Sequence, residues 1–367
     1  MPVLLDTSRS ASTNEIHASN CVTIGLINNM PDSAFEATER QFIDLIRTAA
    51  SKAIVRLLLF SIPEIPRADT TRQDMAGRYR DVSELWDAQV DGLIVTGTEP
   101  RMKNLKDELY WATLSQVVDW ARDHTASTIW SCLAAHAAVL HVDGVERRPL
   151  ADKLFGVFDC EPAASHPMTS DAKLGLRIPH SRYNDLREPA LVACGYRILT
   201  RSPVAGVDMF ARQDKSFHLF LQGHPEYEAK TLLREYRRDI GRYLRRERDD
   251  YPGLPLDYFG GNATAIAAAF RERALVDRRE HLIAGFPFGE LDAGLESPWR
   301  ACAVGIYEKW LEYLSGRKAD RRPLTRRCGG PGAIGPPPPR GRPRTAYPAR
   351  ACKKFTLCLA LPRLMAR

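Results

Sequence analysis

The sequence predicts an α/β protein whose mostly parallel sheet is flanked by helices, and three observations carry that prediction. Short continuous apolar runs recur, bounded by turn-forming residues, as strands buried on both faces do. Stretches with apolar residues at helical spacing alternate with them. At 367 residues and 44% hydrophobic content the chain can bury a full core, yet no apolar run is long enough to span a bilayer.

The elements follow in order. Residues 1–20 are polar and without a signal-peptide core, and read as a flexible lead-in. Val22 to Ile27 is a first strand, entering the turn-rich Asn28-Asn29-Met30-Pro31-Asp32. Phe35, Phe42, Leu45 and Ile46 share one helical face. Ile54 to Phe60 and Gly92 to Val95 are further strands, the latter ending at Thr96-Gly97-Thr98-Glu99-Pro100. Tyr110, Leu114, Val117, Val118 and Ala121 stripe a second helix. Thr128 to Cys132 is a strand that turns into the helix Leu133 to His141. Residues 144–215 are less periodic and suggest shorter antiparallel strands. Phe217 to Gln222 returns to a buried strand. Leu232, Leu233, Tyr236, Ile240, Tyr243 and Leu244 stripe the helix after it, and Pro298 to Leu314 forms a last one.

One domain over 21–316 is therefore expected, followed by a tail at 317–367. The tail holds Gly-Gly-Pro-Gly and four consecutive prolines, a composition that favours disorder. It also explains the charge. The net +7 hides an asymmetry: residues 317–367 carry 14 of the 52 basic side chains and one of the 45 acidic ones. The other 316 residues hold 38 bases against 44 acids, a net −6. The expected folded part is mildly acidic, so nucleic-acid binding loses its support, and no membrane contact is expected. The eight cysteines show no metal-ligand spacing, which points to reduced thiols in a cytoplasm and to no metal site.

Chemistry concentrates on Cys132 and His224. Cys132 stands at a strand-to-helix turn, where a side chain is pushed out at the carboxyl edge of the sheet. The following helix aims its free N–H groups and positive dipole end at the sulfur, which favours the thiolate. The Leu133 N–H is placed as an oxyanion donor, with Thr98 at the neighbouring strand end as a second. His224 ends another buried strand and is the base, with Glu226 two residues on to orient its ring.

Ile27-Asn28-Asn29-Met30-Pro31 with Thr38-Glu39-Arg40-Gln41 resembles the opening signature of the homoserine O-succinyltransferase/O-acetyltransferase family. Asp91 to Gly97, Tyr110-Trp111, Lys153 to Val157, Pro179-His180-Ser181-Arg182-Tyr183 and Gly223-His224-Pro225-Glu226-Tyr227 continue it in order from about residue 22 to 314. The resemblance implies a class I glutamine-amidotransferase-like (flavodoxin-like) fold and ping-pong acyl transfer from acyl-CoA to L-homoserine, in methionine biosynthesis. It implies Cys132 as the thioester-forming nucleophile, His224 as base and Glu226 as its partner. Lys153, Ser181 and Arg238 match substrate-binding positions. Acyl-CoA would be a co-substrate with no further cofactor, and a homodimer is implied. At the donor-reading position a glycine goes with succinyl and a glutamate with acetyl transfer; here Arg101 stands there, with Glu99 two residues earlier. A cation at Arg101 suits the free carboxylate of succinyl-CoA better than acetyl-CoA. The rivals are acetyl transfer to homoserine or serine, a glutamine-amidotransferase-like hydrolase, and a non-catalytic RNA-binding protein. The hydrolases flank their cysteine as G-x-C-x-G, whereas Trp130 and Ala134 stand here.

Overall fold

The computed structural model describes residues 3–6, 21–51, 53–169 and 176–320. Its strands are β1 (Val3–Asp6), β2 (Cys21–Ile27), β3 (Ile54–Ser61), β4 (Tyr79–Asp81), β5 (Gly92–Val95), β6 (Ser127–Ser131), β7 (Arg148–Pro162), β8 (Leu176–Asp185), β9 (Arg197–Ser202), β10 (Gly206–Gln213) and β11 (Phe217–Leu221). The α-helices are α1 (Asp32–Ala49), α2 (Asp69–Met75), α3 (Trp111–His124), α4 (Leu133–Asp143), α5 (Glu188–Ala193), α6 (Thr231–Leu244), α7 (Gly261–Val276), α8 (Phe288–Asp292) and α9 (Arg300–Asp320).

The sheet runs β1-β3-β2-β5-β6-β11-β10-β9-β7-β8, with β4 added beside β3. From β1 to β11 every pairing is parallel. From β11 to β8 every pairing is antiparallel. The parallel strands are buried along nearly their whole length, as continuous apolar runs require. One core cluster lies between the sheet and α3 and α4, through Trp130, Leu114, Val117 and Ala138. Another lies on α1 and α9, through Phe42, Leu45, Tyr307 and Trp310. A third gathers α6 and α7 around Tyr236, Phe270 and Trp299.

The sequence placed the parallel strands and their helices within a few residues. Three differences stand out. Val3–Asp6 is a strand paired in parallel with β3, not flexible chain, since Val55 to Leu58 supply a ready ladder for it; residues 7–20 lie outside the described ones. Helix α9 runs on to Asp320, past the expected boundary at 316, and Lys318 reaches Asp91 at 2.7 Å. The rest of the expected Pro/Arg-rich tail, from 321, lies outside the described residues. Helix α7 was not anticipated from the sequence, and it buries Ala267, Phe270 and Ala274 at i, i+3 and i+7. No helix among the described residues is long and apolar enough to cross a membrane.

Candidate active site

Strands β5, β6 and β11 are neighbours in parallel register, with Val95 opposite Trp130 and Leu221 opposite Ser131. The residues just past their carboxyl ends therefore meet at one edge: Thr98, Cys132 and His224. Cys132 caps α4 with φ 51° and ψ −114°, a backbone region that L-residues other than glycine seldom occupy. Its N–H donates to the Leu221 carbonyl at 2.7 Å, which ties the Cys132 turn to the strand that leads to His224. The strain is held by the ladders on both sides, as at other functional turns.

Leu133 opens α4, so its N–H has no intrahelical acceptor and is free for an oxyanion. Gly97 protects that donor. A Cβ at position 97 would lie 2.9 Å from the Leu133 nitrogen and 3.3 Å from the Ser131 carbonyl oxygen, filling the space an oxyanion needs.

The His224 Nδ1 lies 2.8 Å from Glu226 Oε1, and both side chains are buried. The His224 backbone N–H donates to the Pro179 carbonyl at 2.8 Å. Burial opposes charge on the imidazole, but the Glu226 carboxylate and the hydrogen-bonded Cys132 more than offset it and hold His224 well above its usual range. A protonated imidazole beside the Cys132 sulfur is the form that such a shift favours. A raised histidine pKa contributes stability that is fully present below the unfolded value and fades as pH rises through the folded one. Melting temperature should therefore fall with rising pH from about 6.5 upward. Glu226→Gln should flatten that slope in melts across the same range; an unchanged slope would separate Glu226 from the imidazole's charge.

Tyr227 stacks on the His224 ring, with centroids 4.3 Å apart and planes 19° from parallel. Its hydroxyl donates to Glu235 Oε1 at 2.6 Å. Around Glu235 stand the three residues expected to bind substrate. Ser181 donates to Glu235 Oε2. Lys153 Nζ lies 3.4 Å from Glu235 and 2.8 Å from Asp239. Arg238 Nη2 lies 3.0 Å from Asp239 and 3.7 Å from Glu235. Burial opposes charge on Glu235, yet Lys153, Arg238 and the Ser181 and Tyr227 hydroxyls hold its carboxyl below the usual range. Asp239 is likewise held down, by Lys153 and Arg238 against burial. The two cations and two anions form a neutral cluster one aromatic ring away from His224.

The sequence reading missed Glu235 and Asp239. A signal was present: Asp239 interrupts the apolar stripe of α6, and a buried carboxylate needs a partner.

The residues expected to read the acyl donor line a cleft of their own. Thr98, Glu99, Arg101 and Tyr110 line a cleft of about 330 Å³ with Pro31 and Glu64. The backbone N–H groups of Arg101 and Met102 donate to Glu108 Oε1 at 2.6 and 2.7 Å, leaving the exposed Arg101 guanidinium at the rim. Glu99 is engaged elsewhere. It pairs with Arg242 at 2.8 Å and is held below the usual range mainly by that hydrogen bond, so its carboxylate faces α6.

Cys160, His180 and Asp208 bring metal-ligand-type atoms within 4.8 Å of one another behind this edge. The Arg182 Nε can only donate, and it lies 3.4 Å from His180 Nδ1. The proton on a neutral ring then sits on Nε2, which faces Asp208 Oδ1 at 3.3 Å. Arrangement and tautomer suit a buried polar pair rather than a ligand set. His136, also in the sequence neighbourhood of Cys132, donates from Nε2 to Gln222 Oε1 at 2.9 Å, and burial pushes its pKa down to about 3.

A cysteine on a strained strand-to-helix turn, a carboxylate-backed histidine on the next parallel strand, and a free N–H beside the sulfur define an α/β enzyme of the thiol acyl-transfer class. Residues 3–320 match the family model described as homoserine O-succinyltransferase. The homoserine O-succinyltransferase of Rhodopseudomonas palustris is 47% identical over 81% of this chain and 90% of its own length. That of Bradyrhizobium japonicum is 46% identical over 80% and 90%. The chain belongs to the homoserine O-succinyltransferase family and is an acyltransferase. This decides against the hydrolase and RNA-binding readings. Among solved structures, a glutamine amidotransferase from Methylobacillus flagellatus is similar at 14% identity and a TM-score of 0.45, over 80% of this chain and 95% of that one. The fold class itself rests on the sheet order above.

Proposed function

We propose that this chain transfers a succinyl group from succinyl-CoA to the hydroxyl of L-homoserine through a thioester on Cys132. The observation that carries the reading is the continuous line from Cys132 through His224 and Tyr227 to the neutral four-charge cluster around Glu235. A zwitterionic amino acid can enter that cluster without leaving an unbalanced charge. Its ammonium faces Glu235 and Asp239, its carboxylate Arg238 and Lys153, and Ser181 supplies a further hydrogen bond. Its side-chain hydroxyl is then directed toward His224.

The proton inventory closes. The Cys132 thiolate attacks the thioester carbonyl, and the Leu133 N–H, with Thr98 alongside, receives the oxyanion. His224 gives its proton to the departing CoA sulfur, leaving succinyl-Cys132 and a neutral imidazole. The neutral His224 takes the proton of the homoserine hydroxyl as its oxygen attacks the thioester. Cys132 leaves as thiolate and the starting pair is restored. Glu226 keeps the ring oriented throughout.

Two features support succinyl over acetyl: the names of the relatives above, and the Arg101 cation at the rim of the donor cleft, suited to a free carboxylate. Release of free CoA tests the mechanism. Mixed with succinyl-CoA alone, the protein should give a burst of about one equivalent per site, and homoserine should convert the burst to turnover. A burst with acetyl-CoA but not succinyl-CoA would assign the other donor. Absence of any burst would remove the thioester.

A further inference from the structure

Beyond the acceptor cluster, one face of α6 forms a second feature. Arg234, Arg237, Arg238 and Arg245 line a groove of about 310 Å³ whose other wall is Ile283 and Phe288. Positions 234, 238, 241 and 245 recur at i, i+4, i+7 and i+11, so they share one helical face. The middle position is Gly241, and a Cβ there would lie 3.2 Å from an Arg245 nitrogen. Glycine in a helix interior costs about 1 kcal/mol relative to alanine, and here it keeps the groove open.

The cations are available. Arg237 makes no ion pair or side-chain hydrogen bond among the described residues. Arg234 and Arg245 pair only with the half-buried Glu228, at 3.3 Å, and the exposed Glu247, at 2.6 Å. Such surface pairs are worth little and exchange readily for a phosphate. The facing wall is half-buried aromatic and aliphatic surface, the kind on which a nucleobase lies. Arg238 belongs both to this groove and to the acceptor cluster, so the groove begins where the chemistry ends.

We propose that the groove holds the nucleotide end of the acyl-CoA. Its phosphates sit against Arg237, Arg234 and Arg245, and its adenine lies over Phe288 and Ile283. Guanidinium groups suit phosphates because they donate two parallel hydrogen bonds and stay charged. This assignment rests on the acyl-CoA reading above, and a substrate without the nucleotide separates the two.

The double variant Arg237→Gln/Arg245→Gln changes only exposed side chains. Its KM for succinyl-CoA should rise roughly tenfold or more, with kcat nearly unchanged. With succinyl-pantetheine, which has the same thioester but no nucleotide, wild type and variant should be equal. Adenosine 3′,5′-bisphosphate should compete with succinyl-CoA in the wild type and lose potency in the variant. Equal losses with both thioesters, or no change with either, would overturn the groove assignment. So would inorganic phosphate competing as well as the bisphosphate nucleoside, since that marks a general anion patch. A wild-type protein acylated by neither thioester would instead overturn the acyl-CoA reading itself.

Discussion

Cys132→Ala should leave a folded protein with no succinyl-enzyme by mass spectrometry and turnover reduced about 10⁴-fold. The fold should survive because alanine meets the same backbone demand at φ 51° as cysteine does, and the turn is fixed by the Leu221 carbonyl rather than by the sulfur. Loss of the burst together with a wild-type melting temperature is the expected pair of results. Cys132→Ser tests nucleophilicity more finely. Its hydroxyl keeps the shape but gives up the easily formed thiolate, so His224 has to remove a proton before attack. Near wild-type turnover in Cys132→Ser would sink the thioester mechanism.

Glu235→Gln should act on the second half-reaction alone. The substitution keeps the side-chain shape, with one of the Tyr227 and Ser181 hydroxyls turning to accept from the amide, but removes one of the two negative charges that face Lys153 and Arg238. The cluster then carries an excess positive charge before the amino acid arrives, and the substrate ammonium loses a counter-charge. Breaking a buried pair in this way costs on the order of 3 kcal/mol, which predicts kcat/KM for homoserine lower by roughly 10²-fold. The CoA burst in the absence of homoserine should keep its amplitude, because Glu235 does not touch the thiol. Equal damage to burst and turnover would mean that Glu235 supports the catalytic pair through Tyr227 instead of receiving the acceptor.

What the sequence made legible follows from the range over which each signal acts. Strands β5, β6 and β11 read directly as apolar runs, because both of their faces are buried. Cys132 and His224 read from the turns that end those strands. The acceptor cluster was only half visible. Lys153, Ser181 and Arg238 come through a resemblance of motifs, but Glu235 has no local pattern to mark it. It is charged, sits among arginines, and looks like a solvated residue until β7 and β8 close over it. The strand Val3–Asp6 was hidden for a similar reason: four residues gain their ladder only from β3, some fifty positions away. The Glu99–Arg242 pair spans 143 positions, and no spacing rule reaches that far.

The sheet changes from parallel to antiparallel pairing at the seam between β11 and β10. On one side of that seam lie Cys132, His224, the Leu133 N–H and Thr98. On the other, β7 and β8 contribute Lys153 and Ser181, and α6 supplies the remaining charges. On the proposed roles, bond making and acceptor choice are carried by separately paired halves of one sheet. Substitutions on the antiparallel half should then retune which hydroxyl-bearing amino acid is accepted while the CoA burst is kept. On that proposal, acceptor choice is the step to redesign first.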